Sequence, residues 1–160
     1  MTVRKGNTKL VKWEHKKDND IIYEKLTGEK GAFNTKVAYV TVERTKKGKR
    51  YLLQVADSDG FAPQTILDSH QPLMSPAWSP DAKKLAYVSF EKKRSMIYLQ
   101  RLSDGKRENI ASFKGINSAP AFSPDGTKLA FVSSKEGNTE IYVIDLRTRA
   151  IKRLTNHHGI

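Results

Sequence analysis

Cysteine is absent from this 160-residue chain, which excludes disulfide bonds, a thiolate nucleophile and cysteine-ligated zinc. No run of about 18 apolar residues occurs, so no helix drawn from it can span a bilayer. The opening residues, MTVRKGNTKLVKWEHKK, lack the apolar stretch of a secretion signal. Catalytic signals are missing as well. There is no G-x-S-x-G elbow to carry a serine nucleophile. The histidines at 15, 70, 157 and 158 have no partner at metal-ligand spacing. Asp57-Ser58-Asp59-Gly60 starts like a calcium loop, but the downstream ligands do not follow. Ser103-Asp104-Gly105 repeats the Asp-Gly pair at a matching place, so a hairpin turn is expected at both. No catalytic, cofactor-binding or metal-binding residue is therefore expected, and the chain reads as non-enzymatic.

Acidic residues are scarce, 17 against 29 lysines and arginines, for a net charge of +12. Residues 1–50 hold 14 basic against 6 acidic residues, so +8 sits in the first third. Arg44, Lys46, Lys47, Lys49 and Arg50 form the one real cluster, between two alternating apolar segments. A solvated loop over 43–50 is expected there, with no nucleic-acid partner; retention on DNA at low salt would say otherwise.

What the chain does have is a repeat. Ser75–Phe90 (SPAWSPDAKKLAYVSF) returns 44 residues later as Ala119–Ser134 (APAFSPDGTKLAFVSS), with Trp78 answered by Phe122 and Tyr87 by Phe131. Aromatic opposite aromatic fills the same steric slot twice, so both are expected in the core. The Ser-Pro-Asp-Gly turn is built from a fixed φ at Pro, a self-bonding Asp and a permissive Gly126; Ala82 in the first copy is tolerable in a type I turn. A period of this length points to a stacked or radial array.

Alternation of period two predicts strands at 37–42, 51–56 and 65–67. The first full copy then gives strands at 75–79, 85–90, 96–102 and 108–113, and the second at 119–123, 129–133, 140–146 and 151–154. Residues 36–70 read as an earlier copy without the P-A-W-S-P-D portion. Ahead of these, Lys9–Trp13 is a possible short strand. Residues 18–28 suit a two-turn helix, capped by Asp18 or Asp20, ended by Gly28, with Ile22 and Leu26 forming a stripe that must dock. Four antiparallel strands per 44 residues describe a β-propeller blade. The expected fold is mainly β: an incomplete first blade (about 34–70) and two full ones (75–113, 119–155), preceded by a short helix. Since a ring takes at least four blades, the chain reads as a piece of a longer protein. Its unpaired sheet edges predict self-association or marginal stability.

Two features together resemble the TolB family of periplasmic propeller proteins of the Tol–Pal envelope system. One is the blade motif. The other is Tyr23–Phe33 (YEKLTGEKGAF) running into Lys36–Val40, which is similar to the hinge joining that family's N-terminal α/β domain to its propeller; Glu29 departs from the apolar residue expected there. The resemblance covers roughly 18–160. It implies a division into 1–33, a remnant of the N-terminal domain with its hinge, and 34–160, part of a six-bladed propeller whose final strand closes the ring. It implies a periplasmic protein that maintains outer-membrane integrity and binds Pal, the peptidoglycan-associated lipoprotein, through the propeller face, where some colicins also insert; TolA contacts the family's mature N-terminus. In this sequence that face falls on the connections leading into each inner strand, Gln71–Ser75, Gly115–Ala119 and Asn156–Ile160. Met74, Ser75, Ile116, Asn117, Ser118, Ala119 and His157 are the expected protein-binding residues. The alternative is the propeller domain of a serine peptidase, gating access to a nucleophile elsewhere.

Overall fold

The computed structural model describes residues 8–32, 35–46 and 48–157, with the backbone alone over 8–17. Among the described residues are one helix, α1 (Thr8–Thr27), and eleven strands: β1 (Lys36–Thr45), β2 (Gly48–Asp57), β3 (Gln64–Ser69), β4 (Leu73–Trp78), β5 (Lys84–Ser89), β6 (Met96–Arg101), β7 (Arg107–Ala111), β8 (Asn117–Phe122), β9 (Lys128–Glu136), β10 (Asn138–Asp145) and β11 (Ile151–Arg153). The sheet orders are β1-β2-β3, β4-β5-β6-β7 and β8-β9-β10-β11. The described residues form two compact units: those up to Val37 with Val55–Gln64, and Ala38–Gln54 with Thr65 onward.

In the first unit α1 is 20 residues long rather than two turns, and Lys9–Trp13 is its first part rather than a strand. Lys, Leu and Glu are strong helix formers, and a five-residue alternation cannot outweigh them. Asp18 and Asp20 thus lie inside the helix instead of capping it. Its end is where the sequence places it: Gly28 takes φ 75° and its N–H reaches the Glu24 carbonyl at 2.9 Å. Gly31 then lies so close to Asp20 that a Cβ would sit 2.5 Å from its Cα. Ile21, Ile22 and Leu26 are exposed, so the stripe expected to dock is left uncovered among the described residues. In the turn after β2, Gly60 N–H bonds the Asp57 carbonyl at 2.7 Å and Phe61 N–H the Asp59 carboxylate at 3.0 Å. The side chains of Trp13 and His15, and Phe33 and His158, lie outside the described residues.

The second unit holds the repeat. The loop expected over 43–50 is a tight hairpin, because β1 runs to Thr45 and β2 starts at Gly48. Arg44, Lys49 and Arg50 therefore lie on strand ends and Lys46 in the turn, Lys47 lying outside the described residues, and Arg50 makes a two-pronged pair with Asp68, as close as 2.6 Å. Each Pro-Asp turn is built alike. Ser79 Oγ donates to Asp81 at 2.6 Å and accepts from Lys84 N–H at 2.9 Å; Ser123, Asp125 and Lys128 repeat this at 2.5 and 3.0 Å. Ala82 N–H closes onto the Ser79 carbonyl, yet Ala82 itself has φ 54°, matching φ 69° at Gly126. The turn is type I-like at its centre, but the residue after it needs the left-handed region that glycine enters freely.

One face of the β4–β7 sheet, with Ala86, Val88, Ile97, Leu99 and Ile110, packs against Leu129, Phe131, Tyr142 and Ile144 of the β8–β11 sheet. Phe122 and Trp78 are both half-buried rather than enclosed, and Phe122 packs against this core. On the other face, Tyr87 donates to Gln100 at 2.9 Å, and Gln100 donates to the Ile66 carbonyl at 3.2 Å. Burial pushes the Tyr87 hydroxyl up, so it stays protonated as this donor. Positions 44 residues apart are chemically alike but not equally covered. Ile97 is 0% exposed and Ile141 41%; Ile110 is 7% exposed and Leu154 55%. Val143 and Leu154, with Lys128 and Lys152, line an open cleft of about 450 Å³ on that outer face.

Candidate partner-binding face

Register sets which residues share an end. Leu73 pairs with Ser89 and Asn117 with Ser133, while Trp78 pairs with Leu85 and Phe122 with Leu129. The passages leading into β4 and β8 thus lie beside the β5–β6 and β9–β10 turns, and the Pro-Asp turns lie at the opposite end. Ser75 and Ala119 lie in strands as expected, but β4 and β8 begin two residues earlier, so Met74 is in β4 and 117–118 are in β8 rather than in loops. What exposes Met74, Ser75 and Ala119 is a bulge. The β4–β5 register shifts between Met74 and Ala77, and the β8–β9 register between Ser118 and Ala121. Ser75 and Ala119 take φ 52° and 49° there, each followed by proline. Proline lacks a ladder donor and is tolerated because β4 and β8 are edge strands. The bulge breaks the alternation, so Met74 and Ser75 both face outward, as a bulge re-aims side chains.

Met74 is 45% and Ile116 52% exposed, two apolar side chains held outward at this end. Ser75 and Ala119 are exposed and Ser118 half-buried. Asn117 departs from expectation. It is fully buried, its Nδ2 donating to the Ser95 carbonyl at 3.0 Å and the Phe113 carbonyl at 2.8 Å. Its N–H reaches Ser95 Oγ at 2.9 Å, and Ser133 Oγ donates to its Oδ1 at 3.3 Å. A side chain so engaged fixes the passage into β8; it is not offered to a partner. In the preceding copy Leu73 stands in its place, which is why Ser89 Oγ is buried without a partner. Gly115 (φ 82°) lets the chain pass Ser134 at a distance where a Cβ would meet its Oγ at 2.4 Å, and that Oγ accepts from Ile116 N–H at 2.9 Å.

Sequence reasoning missed Glu140. It is enclosed at the start of β10 and holds the passage after β11. Oε1 accepts from His157 N–H at 2.6 Å and Arg153 Nη2 at 2.8 Å; Oε2 accepts from the Thr155 hydroxyl and meets His157 Nδ1 at 3.2 Å. The Thr155 hydroxyl above all, then the His157 amide and Arg153, hold the carboxyl down at about 2 against the opposing effect of burial. Asn138 Nδ2 also donates to the His157 carbonyl at 3.0 Å. The available signal was a charged residue where the repeat otherwise has Met96. His157 is exposed at the same end. Lys135 sits nearby over the rings of Phe113 and Tyr142, at 4.9 and 4.5 Å.

Antiparallel four-stranded sheets of one 44-residue repeat, packed face to face with their proline-bearing strands on the same side, are blades of a β-propeller. The chain belongs to the TolB beta propeller domain family, which matches residues 23–160. It is 60% identical over 101 residues to the Tol-Pal system protein TolB of Nitrosococcus oceani, covering 62% of this chain and 23% of that one. The crystal structure of TolB from Acinetobacter baumannii superposes with a TM-score of 0.86 at 51% identity, over 100% of this chain and 39% of its own. The β-propeller domain of the Trilobed protease from Pyrococcus furiosus, 22% identical with a TM-score of 0.59 over 77% of this chain and 39% of that one, shares the fold. The chain thus spans about a quarter of the length of the curated relatives it matches.

Proposed function

We propose that this chain is the hinge and first blades of a periplasmic, non-enzymatic Tol–Pal protein that docks Pal through the end carrying Met74 and Ile116 and so supports outer-membrane integrity. The observation that carries the reading is this pair of exposed apolar side chains at one end of adjacent blades, Met74 at the bulge of β4 and Ile116 next to the buried, fully engaged Asn117 that fixes the passage into β8. Exposed apolar groups on a fixed backbone are what a protein partner can bury at small ordering cost. Residues 34–160 act as the propeller portion and 1–33 as the remnant of the domain before it. A further blade covers Ile141, Val143 and Leu154, and a strand from elsewhere in the protein pairs with the open edge of β1. TolA and colicins are partners of the whole protein.

Calorimetric titration of the soluble domain of Pal into a full-length protein carrying this sequence tests the reading. Ile116→Asp, a solvent-facing change, is expected to weaken binding at least tenfold. Equal affinity of wild type and variant, or no binding by wild type, sinks it.

A further inference from the structure

The buried carboxylate of Glu140 dictates the chemistry of an exposed ring. An ionised carboxylate only accepts, and it has about four lone-pair sites. Glu140 meets four donors or donor positions: His157 N–H, Arg153 Nη2, the Thr155 hydroxyl and His157 Nδ1. A proton must therefore lie on Nδ1 for the 3.2 Å approach to be favourable. In a neutral imidazole the other nitrogen then carries a lone pair and no proton. The His157 side chain is 74% exposed while that of Glu140 is 0% exposed. One edge of the ring is thus anchored on the protein and the ring as a whole faces solvent, with its backbone tied by the Glu140 and Asn138 contacts.

We infer that Glu140 is a positioning residue that fixes His157 in the Nδ1–H tautomer and so offers Nε2 as a hydrogen-bond acceptor to a donor on the docked partner, a hydroxyl, amide or cationic group. This rests on the docking reading above and adds a chemical requirement: the apolar contacts at Met74 and Ile116 are joined by one directional polar contact at His157. The preceding copy has Met96 at the equivalent position, so it builds no such dyad, and between these two copies only the second offers this acceptor. The logic is that by which a carboxylate behind a histidine sets its tautomer in metal sites, here without a metal.

The test has two arms. Nitrogen NMR of 15N-histidine-labelled protein above pH 7.5 reads the tautomer directly. Wild type is expected to show His157 protonated on Nδ1 and bare on Nε2, and Glu140→Gln to release the ring toward the Nε2–H form. A wild-type ring already in the Nε2–H form overturns the inference whatever the binding shows. In the second arm the soluble Pal domain is titrated into full-length protein bearing Glu140→Gln, His157→Phe, both, or His157→Gln. Each of the first two should weaken binding about fivefold, the value of one hydrogen bond. The double variant should lose no more than either, because both remove one contact, and His157→Gln should keep most of the affinity. Additive losses would mean that Glu140 acts through the backbone of 155–157, and unchanged affinities that Nε2 meets no donor; either sinks the inference. If Ile116→Asp still weakens binding at least tenfold in those cases, the docking reading stands alone. If wild type does not bind, reading and acceptor role fall together.

Discussion

Ile97 and Ile141 occupy the same repeat position, so replacing each by alanine isolates what a neighbouring blade contributes. Ile97 is enclosed among Val88, Leu99, Ile110 and the facing sheet, whereas Ile141 is partly open to solvent. Truncating a buried isoleucine costs about 2–5 kcal/mol through lost transfer energy and the cavity left behind. At a partly exposed site no closed cavity forms, and about 1 kcal/mol is expected from the lost area. For a chain of this size each kcal/mol moves the Tm by about 2–4 °C. Ile97→Ala should thus lower it by about 10 °C and Ile141→Ala by about 3 °C, read by circular dichroism and checked by urea denaturation. With the following blade present, Ile141→Ala should cost as much as Ile97→Ala. Equal losses at both sites in this chain, or no rise at Ile141 in the longer protein, would refute the reasoning that adjacent blades cover this face.

Ala82→Gly should raise stability by about 1 kcal/mol by relieving the left-handed backbone, and Gly126→Ala should lower it by a similar amount; Gly126 has room, since the nearest atom to an added Cβ is Pro80 Cδ at 3.5 Å. Chemical denaturation of the pair measures this, and an Ala82→Gly protein no more stable than wild type contradicts it. Because the folded carboxyl of Glu140 lies below its unfolded value, its contribution is complete above about pH 4.5 and is lost as pH falls toward about 2. Urea midpoints across that window should decline more steeply in wild type than in Glu140→Gln. Val42 is exposed on β1, an edge strand of its sheet, so Val42→Lys should reduce self-association seen by sedimentation; unchanged sedimentation of an associating wild type would place the contact elsewhere.

The blades were legible because three signals agreed: period-two alternation, the Pro-Asp turn and aromatic-for-aromatic replacement at 44 residues. The bulges were not, although Ser75-Pro76 and Ala119-Pro120 carry their mark. A positive φ on serine or alanine is a cost imposed by tertiary context, and local preference argues against it. Asn117 shows the converse difficulty. A polar residue in a connection looks available for binding, and only the positions of the Ser95 and Phe113 carbonyls reveal that it is committed inward. Glu140 stayed hidden because its donors lie 13 to 17 residues away, a separation no local pattern records. The helix was misjudged for a simpler reason: over Lys9–Trp13 two periodicities fit equally, and helix propensity decides.

Hydrogen-exchange mapping of the full-length protein with and without the soluble Pal domain tests the docking face most directly. Amides in 71–76, 115–119 and 155–157 should gain protection, with the opposite end, 79–84, 102–107, 123–128 and 145–151, unchanged. Protection confined to that opposite end, or to the outer face at Ile141, Val143 and Leu154, would contradict the account.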